Sequence, residues 1–200
     1  MTATLKTKRL TLRPLCLSDQ KAMVDAIMSD MNVMEWLPYS DAVTTPEGQK
    51  KVALAYINDF IKPWDSHGFG VWAVCIKDTK LGEFGQFIGY CGFLLEQIEG
   101  AGPEIAYAIK KSMWGKGLVT EALNACLNWI FKEPEINRVY AVTDKENIAS
   151  NRIMQKVGMT CEKDVDLYNS VANGYGLLPY YSIDREAFLT IEKNGLKEAP

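Results

Sequence analysis

Two glycines and a lysine stand in the stretch KSMWGKGLVTEAL (111–123), directly before residues that read as a helix. Bare backbone at a helix start gathers unpaired N–H groups at the positive end of the helix dipole, a geometry suited to phosphate or another anion. Neither nucleotide motif accounts for it. The dinucleotide fingerprint needs a third glycine three residues after Gly117, where Thr120 stands, and the Walker loop needs serine or threonine after its lysine, where Gly117 stands. A G-x-G alone is more simply a tight turn with an incidental lysine, and nucleotide binding at it is a distant third reading.

A second polar cluster follows in DKENIASNRIMQKVGM (144–159), with Asn147, Ser150 and Asn151 at a strand exit and in the first turn of a helix. Asn147 or Ser150 alone suits helix capping. His67, the only histidine, falls in the stretch DSHGFG and reads as a surface-loop residue, while Cys91 in GYCGF reads as a packed one. The five cysteines (Cys16, Cys75, Cys91, Cys126, Cys161) include no C-x-x-C pair and are odd in number, so neither a disulfide framework nor a metal site is expected. A net charge of -3 argues against an extended nucleic-acid-binding face, which needs a surplus of lysine and arginine. No apolar run reaches the length of a membrane span and no secretory leader is recognisable, so the expected location is the cytoplasm, away from membranes.

The elements that must position these residues are legible in the hydrophobic pattern. RLTLRPL predicts a strand ended near Pro14, and Ser18 is the expected N-cap of a helix to about residue 30, with Ala22, Met23, Ala26 and Ile27 on one face. Residues 31–44 hold no steady period and contain Pro38, so a loop is expected there. Thr45 and Pro46 start a second helix, to about residue 61. Strands are predicted at 70–77, 86–95 and 104–110, joined by short glycine-bearing linkers that fit an antiparallel meander. Leu118, Ala122, Cys126 and Ile130 fall four apart, which predicts a helix with a wide apolar face. A strand at 137–144, a helix at 149–158 and strands at 159–166 and 176–188 complete the order, with a loose tail from about residue 192. Three consecutive strands followed by one strand-helix-strand crossing imply an α+β fold with a mixed, mostly antiparallel sheet. The length suits a single domain.

Taken in order, TKRLTLRPL, EIAYAIKKSMWGKGLVTEAL, NIASNRIMQKVGM and YYSIDREAF resemble the GNAT acyltransferases, and among them the ribosomal-protein N-terminal acetyltransferases. The resemblance runs over nearly the whole chain. It implies a sheet of six or seven strands with helices on both faces, splayed between the fourth and fifth strands, with acetyl-CoA in the opening and no metal. It implies that Tyr107, Ala108 and Ile109 offer backbone groups to the pantetheine arm. Trp114, Gly115, Lys116, Gly117, Leu118, Val119 and Thr120 would wrap the pyrophosphate, with Asn147 and Ser150 also at the coenzyme. Two positions depart from the family pattern: Trp114 stands where glutamine or arginine is usual, and Val119 where glycine or alanine is usual.

The implied reaction is direct attack of an amine on the thioester, for which a base must take the amine's proton. Glu104, on the strand bordering the splay, is the candidate base, and a solvated strand-end charge is the equal alternative. A backbone amide near Tyr107 or Ala108 is the expected oxyanion donor. The family's tyrosine, seven residues after the position of Asn147, is Met154 here, which leaves Ser150, or a water held by Asn147, to protonate the departing thiolate. Trp36, Tyr39, Phe60 and Trp64 are expected around the substrate mouth, though core packing accounts for aromatic residues equally well. The implied acceptor is a protein or peptide N-terminus. Few acidic residues (Glu35, Asp41, Glu47) mark the region leading into the second helix, little to hold an aminoglycoside or polyamine. A monomer or homodimer is expected. The rival reading is a non-catalytic acyl-CoA-binding module, which the methionine at position 154 favours.

Overall fold

A computed structural model describes residues 3–166 and 177–195. The chain forms two compact units, Met1–Leu94 with Ala106–Cys126, and Leu95–Ile105 with Leu127–Pro200.

In the first unit, strand β1 (Leu5–Lys6) pairs antiparallel with β2 (Leu10–Pro14). Strand β2 pairs with β3 (Val71–Ile76) from Leu10↔Ile76 to Pro14↔Trp72, and β3 with β4 (Phe87–Leu94), both antiparallel. Strand β5 (Glu104–Ile109) leaves this unit at its N-terminal end. At the other end, the Lys110 N–H donates to the Ile88 carbonyl at 2.8 Å. Gly89 permits the approach of β4 to β5, because a Cβ there would lie 2.1 Å from the Ala108 carbonyl oxygen.

The segment after β2 departs from the expected single helix. A 3-10 turn at Leu17–Asp19 passes into α1 (Gln20–Met23) and then a π turn at Val24–Met28. Ser18 is not the cap. Its hydroxyl contacts Cys16 Sγ, while the Asp19 carboxylate accepts from the Cys16 N–H at 3.0 Å and from both Arg13 Nη atoms at 2.8 and 2.6 Å. The helical segment thus starts two residues earlier than expected, with Cys16 as N-cap and the Asp19 carboxylate, held by Arg13, accepting from its N–H. Residues 31–44 are also more ordered than expected: α2 (Met31–Met34) is capped by Asp30, whose side chain accepts from the Asn32 N–H, and a 3-10 turn covers Ser40–Val43. Thr45 caps α3 (Pro46–His67) as expected, but the helix continues past Pro63, where burial of Phe60 and Pro63 outweighs the hydrogen bond that proline removes. The core holds Met23, Ile27, Met34, Ile57, Phe60, Ala73 and Tyr90.

In the second unit, the N-terminal end of β5 pairs parallel with β6 (Arg138–Val142) at Glu104↔Tyr140. Strand β6 pairs antiparallel with β8 (Leu178–Asp184), which pairs antiparallel with β7 (Thr160–Val165). Helix α4 (Leu118–Ile130) begins in the first unit and ends in this one, and α5 (Ile148–Lys156) follows β6. The predicted last strand stops at Asp184, where α6 (Arg185–Gly195) begins. The run of buried residues Leu178–Ile183 ends there at the exposed Asp184, and Phe188 of the helix packs on Phe131 with centroids 5.4 Å apart. The expected loose tail is thus helical to Gly195, and residues 196–200 lie outside the described residues. The fold is α+β with a mostly antiparallel sheet flanked by helices. Among the described residues it has eight strands against the six or seven expected, β1 being the one the pattern did not show.

Candidate functional site

The residues singled out for chemistry fall on both units. In the first, β5 leads through a 3-10 turn at Lys111–Met113 into the glycine turn and α4. Gly115 (φ 72°) and Gly117 (φ 70°) both adopt the left-handed conformation that only glycine enters without strain. The first amide to close a bond in this helix belongs to Glu121, which donates to the Gly117 carbonyl at 3.1 Å. N–H groups before it therefore face outward with no intrahelical partner. A Cβ at Gly115 would meet nothing within 4 Å, so the backbone of the turn is open to solvent there. Trp114 is not a bare rim residue: its indole N–H donates to the Ile109 carbonyl at 2.8 Å, which ties the turn to the end of β5. The Lys116 ammonium turns back onto the Ser112 carbonyl at 2.6 Å. Leu118 is buried, Val119 and Thr120 half-buried, and on β5 Tyr107 is half-buried while Ala108 and Ile109 are buried.

The turn is braced by a residue far away in sequence. Arg9 donates from Nη1 to the Lys116 carbonyl at 2.8 Å and from Nε to Glu121 at 2.6 Å, while the Thr7 hydroxyl and the Arg9 N–H also donate to Glu121. Burial alone raises the Glu121 pKa, but these bonds outweigh it and hold the carboxyl below its ordinary value. A carboxylate whose folded pKa is depressed adds stability above its unfolded pKa and loses it as pH falls through the folded one. Wild-type protein is therefore expected to lose melting temperature as the pH drops below about 4.5. Glu121→Gln should be less stable by about 1 kcal/mol at pH 7 and show a flatter acid limb, read by thermal melts at pH 4 and 7. Equal slopes in the two proteins would refute the brace.

In the second unit, Asn147 caps α5, its Oδ1 accepting from the Ser150 N–H at 3.0 Å, so capping accounts for its local contact. Ser150 is buried. Asn151 donates to the Asp144 and Asn147 carbonyls at 2.9 and 2.8 Å and accepts from the Tyr181 hydroxyl at 2.9 Å, which binds the strand exit to β8. Burial, with help from Cys161, raises the Tyr181 pKa and keeps its phenol a donor. Met154 packs in the core. Glu104 is no solvated strand-end charge. It is buried, 5% exposed, and accepts from the Tyr140 hydroxyl at 2.9 Å, which in turn accepts from the Gln97 N–H at 2.9 Å.

The aromatic residues of the first unit do not act as one group. Tyr39, Tyr56 and Phe60 pack edge to face and Phe60 tilts against Tyr90, with Tyr39 exposed at the end of this chain and held in the left-handed region (φ 66°). Trp64 instead packs on the buried Trp72 with centroids 4.6 Å apart, and Trp36 is half-buried. His67 ends α3, exposed and beside the Ser66 hydroxyl, rather than lying in a loop. Cys91 is buried against Cys126 with their Sγ atoms 3.8 Å apart. Among the described residues, no group of three histidine, cysteine or acidic side chains is placed to hold a metal ion, and no helix is long and apolar enough to cross a membrane.

Arg9 and Tyr140 have no place in the expected site. Their sequence signals are slight: a lone arginine before a strand, and a tyrosine at an inward position of RVYAV.

The family profile described as "Acetyltransferase (GNAT) domain" matches residues 9–160, a span that includes parts of both units. An uncharacterised protein of Bacillus subtilis, YkkB, is 31% identical over 169 residues, 82% of this chain and 90% of its own length. The uncharacterised N-acetyltransferase p20 of Bacillus licheniformis is 28% identical over 162 residues, 80% of this chain and 83% of its own. Among solved structures, the ribosomal-protein-S5-alanine acetyltransferase of Vibrio fischeri superposes with a TM-score of 0.70 over 93% of this chain and 98% of its own, at 19% identity. At that identity the likeness speaks to the fold.

Proposed function

Because the chain belongs to the acetyltransferase (GNAT) family, and is thus an acetyl-CoA-dependent N-acetyltransferase, we propose that its acceptor is the α-amine of a protein or peptide N-terminus. The observation that carries the reading is the open, Arg9-braced glycine turn at the head of α4, built to hold a diphosphate without a matched side chain. The V. fischeri fold relative, named for acetylating a ribosomal-protein alanine, supports a peptide acceptor, as does the small number of acidic residues (Glu35, Asp41, Glu47) in the stretch leading into α3.

In this reading Gly115, Lys116, Gly117 and the first-turn amides of α4 hold the pyrophosphate, and Tyr107, Ala108 and Ile109 line the pantetheine arm with backbone groups. Acetyl-CoA supplies the activated acyl group. Glu104 takes the proton of the attacking ammonium, directly or through water, which a neutral amine nucleophile requires near pH 7. Ser150 or a water at Asn147 returns a proton to the leaving thiolate. Tyr39, presented in a strained backbone conformation, offers an apolar face to the acceptor.

Isothermal titration with acetyl-CoA should give one site with a dissociation constant on the order of micromolar. Thiol release should then appear with N-terminal peptides before it appears with spermidine or kanamycin. Turnover confined to the small amines would overturn the peptide reading. A second reading has its own observation: Met154 is buried where the family carries its phenol donor, as suits a module that binds acyl-CoA without chemistry. Tight binding with no turnover on any acceptor would establish that reading instead.

A further inference from the structure

We propose that Tyr140 is a positioning residue for acetyl transfer, its phenol fixing the orientation and charge of the Glu104 carboxylate; this rests on the reading of Glu104 as the base. The two residues are the Cα partners that register β5 against β6, and the Tyr140 N–H donates to the Pro103 carbonyl at 3.1 Å, so the backbones are locked where the side chains meet. The Gln97 N–H occupies an acceptor position on the Tyr140 oxygen, and the phenol proton is thereby directed to Glu104 Oε2. The ring cannot swing away. It is fully buried and stacks on Tyr180 of β8 with centroids 5.4 Å apart and planes 15° from parallel. A phenylalanine would fill the same space, and only the hydroxyl distinguishes the two.

Burial by itself favours a neutral carboxylic acid, which is useless as a base; a hydrogen bond donated to the charged form opposes that. The donor is dependable because burial, reinforced by the Glu104 charge, raises the Tyr140 pKa and keeps the phenol protonated. Among the other titratable groups of the surrounding elements, Arg138 of β6 pairs with Glu162 and Asp184. Glu96 of the loop before β5 accepts from the Gly102 N–H, Glu99 of that loop is exposed, and Lys163 of β7 lies over the Tyr180 ring at 5.4 Å.

The test uses full-length protein carrying glutamate labelled with carbon-13 at the carboxyl, with Glu104→Gln assigning the Glu104 signal. In Tyr140→Phe the Glu104 midpoint should rise by about one pH unit. Acetyl transfer to the best peptide of the panel should fall about tenfold in kcat with KM for acetyl-CoA unchanged. Should Tyr140→Phe not fold, Tyr140→3-fluorotyrosine keeps the hydroxyl as a stronger donor and should lower the midpoint. A midpoint that stays put in the folded variant overturns the assignment, whatever Glu104→Gln does to turnover. A midpoint that moves, while Glu104→Gln retains full turnover, overturns instead the base reading and the positioning role with it.

Discussion

Glu104→Gln should lower kcat for acetyl transfer by about two to three orders of magnitude while leaving KM for acetyl-CoA within about twofold. The substitution is close to isosteric, and the amide oxygen still accepts from the Tyr140 hydroxyl, so the Glu104↔Tyr140 register of β5 and β6 has no reason to change. What disappears is the ability to take a proton. An N-terminal amine is partly protonated near pH 7, and without a base the reactive neutral form must come from solution. The residual activity should therefore rise steeply with pH, because alkaline buffer supplies the free amine that the variant cannot generate. Profiles of kcat/KM from pH 6 to 9 on a single peptide acceptor measure this directly. A variant that keeps a third or more of wild-type turnover at pH 7 would remove Glu104 from the mechanism.

Gly117→Glu should weaken acetyl-CoA binding by about 100-fold or more, measured by isothermal titration. Two effects contribute and can be separated. Any side chain at φ 70° carries roughly 1 kcal/mol of backbone strain, which Gly117→Ala shares. Only the glutamate adds a negative charge at the outward-facing amides where the pyrophosphate is to sit. Space does not forbid it: a Cβ at Gly117 meets nothing nearer than Arg9 Nη2 at 3.8 Å, so both variants should fold. Gly117→Ala is accordingly expected to lose only a few-fold in affinity. Equal losses in the two would mean that turn geometry, and not charge, sets affinity. Undiminished binding in Gly117→Glu would place the phosphates elsewhere.

These experiments also separate the two kinds of residue in the candidate site. The glycine turn is readable from sequence because its requirements are local: two glycines in positive φ and a helix start lie within KSMWGKGLVTEAL, just after the short strand EIAYAI. The Thr45 and Asn147 caps were readable for the same reason, since a side-chain oxygen and the amide two or three residues on are neighbours in sequence. Ser18 misleads because the helical segment starts earlier, at Cys16, where Asp19 is held by Arg13 and accepts from the Cys16 N–H. Trp64 was grouped with Tyr39 and Phe60 by residue type, whereas packing sends it to Trp72 on β3.

By itself, the sequence determined the mixed α+β class, the succession of strands from β2 to β8 and the glycine turn at the head of α4. Each follows from periodicity, capping or backbone conformation over a few consecutive residues. Tertiary structure alone decided which partners make those parts work. Arg9 reaches Glu121 across 112 positions, and Tyr140 reaches Glu104 across 36. No local pattern encodes either meeting, because strand pairing and helix packing bring the atoms together. Burial then decides their chemistry, turning Glu104 from a plausible surface charge into a buried carboxylate held by a phenol.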